Sequence, residues 1–126
     1  KKGEFFPALH EMIQASKVSG SDPSTNIFVT AAFIKIHHWV NAEQNLVNLE
    51  KKAPRSPFIP FFKYAIAKGK NQPLLIENLK REIEENYHFK PTEDDIEAIN
   101  TLVLESSVPY LMFEKFEQKL KALRTR

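Results

Sequence analysis

Cysteine is absent from the 126 residues, which excludes disulfides, thiolate metal sites and cysteine nucleophiles and suits a reducing compartment. Glycine occurs only three times, and nowhere as a phosphate-cradling loop or as the glycine-framed elbow of a serine nucleophile. No apolar run is long enough to cross a bilayer, and no stretch reads as a signal peptide. Neither sign of charge dominates: eighteen basic and sixteen acidic side chains leave a formal charge of +2. They alternate along the chain, so no extended field draws nucleic acid. What is present is apolar surface, 42% of residues including ten phenylalanines, too much for a disordered segment. A chain of this length buries about two-thirds of the surface its unfolded form exposes. One domain over residues 1–126 is expected, as one module of a larger intracellular protein, cytoplasmic or peripheral to a membrane.

The eight prolines and three glycines mark the joints. Phe6, Leu9 and Ile13 predict a first helix that stops before Gly20. "SDPSTN" reads as a turn offering Ser24 and Thr25 as N-caps. Ile27, Phe33, Ile34, Ile36, Val40, Leu46, Val47 and Leu49 then recur in one or two helices. A strand is disfavoured because no hairpin partner follows. Pro54 and Pro57 break the chain, and the next helix runs from near Pro60 to Gly69, a residue suited to a left-handed cap. Ile76, Leu79, Ile83 and Tyr87 lie on one helix face. Thr92 caps another helix whose inner side carries Ile96, Ile99 and Val103. Pro109 opens the last, with Phe113, Phe116, Leu120 and Leu123. The expected class is all-α, a single-domain bundle of about six to nine helices.

The residues that could do chemistry sit in unpromising company. His37 and His38 are adjacent and diverge by about a hundred degrees on a helix, without a His or carboxylate three or four positions on, so no metal is expected there. Trp39, the sole tryptophan, is expected in the core with its indole N–H on a carbonyl. The acidic run Glu93, Asp94, Asp95 suits a helix N-terminus better than a carboxylate pair for catalysis. Ser106 and Ser107 lack Asp and His partners. The basic end "KLKALRTR" reads as a cationic last turn rather than a phosphate or membrane contact. No intrinsic enzyme and no cofactor are expected.

The segment "IEAINTLVLESSVPYLMFEKFEQKL" resembles the end of the regulator of G-protein signalling (RGS) homology domain. That family closes with an amphipathic helix, an acidic-Ser turn, an aromatic-Leu pair and a last helix; here Glu105 and Ser106, Tyr110 and Leu111, and Phe116 stand in those places. "FFKYAI" resembles the family's "IYxxFI" helix. "HHWVNAEQ" resembles "FWxxxExYK", with Trp39 and Glu43 in register and His38 for the Phe. "FFPALHEMIQ" suits the opening helix.

The resemblance implies an RGS-like fold and a G-protein alpha subunit as partner, gripped near its transition state without any catalytic acid or base from this chain. Active members carry an acidic-Asn pair four and five residues before the tryptophan. Ile34 and Lys35 stand there instead, and neither offers the hydrogen bonds of a carboxylate or carboxamide. Asn71 and Gln72 stand near the family's other contact Asn, in a shorter loop. Glu105 and Pro109 replace the Asp and basic residue of the final loop. The implied contact face is therefore Ile34, Lys35, Asn71, Gln72, Glu105, Ser106 and Pro109, with weak or absent GTPase activation. The alternative is a helical scaffold or membrane-trafficking module of the same fold without G-protein activity.

Overall fold

A computed structural model describes residues 23–106 and 109–125. Among them the chain forms six helices and no strand: α1 (Pro23–Lys35), α2 (Trp39–Lys52), α3 (Ile59–Gly69), α4 (Pro73–Tyr87), α5 (Glu93–Glu105) and α6 (Pro109–Thr125). The all-α expectation holds. The helix anticipated over residues 6–20 lies outside the described residues.

Helix α1 is apolar nearly all round, and Ile27, Val29, Ala31, Ala32, Phe33 and Ile34 are all buried. A helix without a polar face has to be surrounded, and α1 packs on α2, α3 and α5. Ser24 and Thr25 fall inside α1 rather than capping it. Thr30 solves its own burial locally by donating to the Asn26 carbonyl at 2.7 Å, and Lys52 reaches the Asn26 side-chain oxygen at 3.1 Å.

Proline and capping chemistry set the other boundaries. Pro60 and Pro73 occupy the first turns of α3 and α4, where a missing N–H costs nothing. Thr92 caps α5 as its sequence suggested: its hydroxyl accepts from Asp95 N–H, while the Asp95 carboxylate accepts from Thr92 N–H at 3.0 Å. That reciprocal pair accounts for Asp95, and Glu93 and Asp94 lie in the same first turn.

The second packing centre is aromatic. Phe58 and Phe116 rings lie 4.4 Å apart, Phe61 meets Phe116 edge-on at 5.6 Å, and Tyr87 and Phe89 flank Phe61 at 5.0 and 6.2 Å. These rings tie the α2–α3 connection, α3, the end of α4 and α6 into one cluster. On α6 the buried set is Met112, Phe116, Leu120 and Leu123, so Met112 replaces Phe113, which is partly exposed against Phe58. On α2, Val40 and Val47 are 63% and 48% exposed and leave the core to Ala42, Leu46 and Leu49. The basic end is structural at Arg124, whose Nε donates to the Tyr87 carbonyl at 2.7 Å, at the C-terminus of α4.

The Tyr87 hydroxyl donates to the Pro57 carbonyl at 2.9 Å. Burial, with a smaller contribution from the nearby Glu82 charge, pushes its pKa up to about 12. The neutral phenol is thus favoured by folding. Its contribution is complete below the unfolded tyrosine pKa of about 10 and is lost as pH rises toward 12. The expected result is that Tyr87→Phe costs about 1 kcal/mol at neutral pH and flattens the alkaline fall in melting temperature. Thermal melts of both proteins against pH check it.

Candidate functional site

The His37–His38 pair ends α1. His37 adopts a left-handed backbone, φ 62°; its N–H donates to the Ile34 carbonyl and the His38 N–H to the Phe33 carbonyl, at 3.1 and 2.9 Å. This double closure is a Schellman cap with His37 at the left-handed position, where His is among the few tolerated side chains. The His38 ring stacks over Phe33, 6.1 Å between centroids, the contact that commonly completes the motif. The two histidines are therefore turn residues with diverging directions, and no group of three or more metal-ligating side chains occurs among the described residues.

The same turn delivers Trp39. Its ring stacks on His37 at 5.2 Å and 13° and also abuts Gly69, where an added Cβ would run into the indole. Gly69 is required for this close approach rather than as a left-handed cap. That role falls to Asn71, φ 56°, whose N–H and that of Gln72 donate to the Lys68 and Ala67 carbonyls. Trp39 is only partly buried, at the edge of the core, and its indole N–H has no carbonyl partner among the described residues. The expectation of a core tryptophan is met in part: the ring packs against the core but stays partly exposed.

Trp39 and His37 form one wall of an open cleft of ≈ 270 Å³ between α1, α3 and α5. The floor is Ile34, Tyr64, Ile96 and Asn100, all buried, and the rim carries Lys35, Lys68, Glu93 and Glu97, all exposed. Lys68 pairs with Glu93 at 2.6 Å. The hydrogen bond to Glu93, then its charge, raise the Lys68 pKa, with the Tyr64 side chain contributing less. Lys35 and Glu97 make no ion pair among the described residues. Asn100 Nδ2 donates to the Ala31 carbonyl at 3.3 Å, joining α5 to α1, and its Oδ1 has no partner.

Of the residues implied by the resemblance, Ile34 and Lys35 reach this cleft. Gln72 lines a separate shallow groove with Glu43, Leu46, Val47 and Leu75; Asn71 beside it is exposed in the α3–α4 turn. Glu105 is exposed at the end of α5, one turn beyond Thr101 at the cleft edge. Ser106 is buried, its hydroxyl donating to the Leu102 carbonyl at 2.6 Å. Pro109 is exposed at the start of α6, and Ser107 lies outside the described residues. No single cleft gathers all seven. Tyr64, Lys68, Glu97 and Asn100 escaped the sequence reading because they come from two other helices and only packing brings them to Ile34 and Lys35.

No family model, curated protein or solved structure matches the chain significantly.

Two expectations follow from the turn. His37→Gly should leave stability within about 1 kcal/mol, because it relieves the left-handed backbone while losing the ring stack, whereas His37→Val should destabilise by about 1–2 kcal/mol. Denaturant melts of the pair separate these. Gly69→Ala gains about 1 kcal/mol of helix propensity but forces the rigid indole aside, at a typical overpacking cost of about 1–3 kcal/mol. The net result is expected to be a lower melting temperature together with a changed Trp39 emission maximum.

Proposed function

We propose that this chain is a divergent RGS-like interaction domain that binds a G-protein alpha subunit and accelerates its GTP hydrolysis weakly or not at all. The observation that carries the second half is the placement of Ile34 and Lys35. The resemblance puts the family's acidic-Asn pair at these two positions. Ile34 is 7% exposed and turned into the core, while Lys35 presents an exposed ammonium. Neither can hold the glutamine that orients the water attacking the phosphate. In phosphoryl transfer the protein contributes chiefly position and electrostatics, so an undelivered oriented donor is felt directly in the rate.

Binding is a separate matter. Contacts made equally in ground and transition states give affinity without acceleration, and exposed Lys35, Asn71 and Glu105 remain accessible to a partner. What supports an interaction role over intrinsic catalysis is the inventory of the described surface. Its histidines cap a helix, its acidic run caps another, and Ser106 is engaged by its own helix.

The experiment is single-turnover GTP hydrolysis by representative alpha subunits with and without the domain, alongside binding to their transition-state-mimic form. Binding without acceleration is expected. Lys35→Asn, which leaves buried Ile34 in place, should recover part of the roughly hundredfold to thousandfold that one oriented donor contributes. Strong acceleration by the parent protein would overturn the reading. Absence of binding to every subunit class would leave the helical scaffold or trafficking module in its place.

A further inference from the structure

The groups left without partners in the α1–α3–α5 cleft make a pattern. Asn100 is 7% exposed, and donation of its Nδ2 to the Ala31 carbonyl fixes Oδ1 as a pure acceptor. A buried acceptor without a donor is a cost the free protein carries. On the same cleft, the Trp39 indole N–H is a pure donor, and the Tyr64 hydroxyl can do either. None of the three groups has a hydrogen-bond partner among the described residues. The rim charges cancel, Lys35 and Lys68 against Glu93 and Glu97, so the site selects neither anion nor cation by its field.

The geometry points to a binding site for a primary carboxamide, the Asn or Gln side chain of a protein partner. An amide N–H satisfies Asn100 Oδ1 while its carbonyl accepts from Trp39 or Tyr64. A carboxylate brings no donor for Asn100, and a guanidinium or ammonium brings no acceptor for the indole. Side-chain entry is favoured over main chain because a primary amide presents its N–H and carbonyl from one tip, whereas a trans peptide points them in opposite directions, and Asn100, only 7% exposed, is reached more readily by such a tip. Ile34 and Ile96 pack against the methylenes behind the amide. The assignment holds whether or not the partner is a G-protein alpha subunit.

Trp39 is the only tryptophan, so its indole N–H resonance is a single reporter of the cleft. The test titrates the protein with acetamide and propionamide, with acetate and guanidinium as charge controls and N-methylacetamide as the main-chain surrogate. Fragments of so few atoms bind no more tightly than their size permits, so saturation is expected only at high concentration. The expected result is a saturable indole shift with the primary amides, at least tenfold weaker responses to acetate and guanidinium, and a smaller response to N-methylacetamide. Asn100→Leu, which replaces the unpartnered acceptor by an apolar side chain of similar size, should abolish saturation. Its own melting curve shows that it is folded. No saturable shift with primary amides, or an equal response to the charged probes, overturns the site on the parent protein alone, whatever the variant does. An unchanged response in folded Asn100→Leu overturns the role of Asn100, and preference for N-methylacetamide overturns the side-chain source.

Discussion

The rest of the structure depends on the burial of α1. Nine of its thirteen residues are buried, including polar Ser24, Asn26 and Thr30, so its neighbours are constrained to cover it from several directions. Helices α2, α5 and α3 all pack against it. Hydrogen bonding has to keep pace with this burial. Thr30 bonds within the helix, Asn26 receives Lys52, and the Ala31 carbonyl receives Asn100 from 69 residues away. The Lys52 and Asn100 contacts fix the rotation of α1 relative to its partners, while Thr30 is satisfied within the helix itself, because a buried polar group left unmatched costs more than an apolar contact gains. Ile34 at its far end is thereby committed to the core, leaving Lys35 to face outward.

Helix ends follow from the same economy of space. With glycine so scarce, the left-handed positions after α1, α3 and α4 are filled by His37, Asn71 and His88. A side chain in that conformation is strained relative to glycine, but at His37 it also does what glycine cannot: its ring supports Trp39. The one helix-terminal glycine near the site, Gly69, is reserved for the indole that presses on it. Glycine's lack of a side chain is used here for proximity and histidine's tolerance for turning.

Much of this was legible along the chain, for physical reasons that differ by element. Prolines at 54, 57, 60, 73 and 109 and the Thr92–Asp95 box act through their immediate neighbours, so helix boundaries there follow from local chemistry. The apolar faces of α4 and α5 repeat cleanly. Helix α1 has no such stripe, and Ser24 and Thr25 look like caps to any local reading because nothing local reveals that the helix already contains them. Val40, Val47 and Phe113 fit the helical period yet stay partly exposed, since periodicity specifies a direction around one helix and not which neighbour covers it.

The cleft divides the same way. Ile34 and Lys35 are adjacent in sequence and were readable together, whereas Trp39, expected in the core, and Tyr64, Lys68, Glu97 and Asn100 join them only through packing. Asn100 is the instructive residue. A single asparagine in an apolar helical run carries no signal of its own, yet its amide joins two helices and its free oxygen borders a cleft. An apolar residue there would remove the unsatisfied acceptor but also the directional bond to Ala31, leaving the register of α5 on α1 to less specific apolar contacts. Asparagine at this position trades part of the stability available from burial for a defined orientation of the cleft wall and an acceptor beside it.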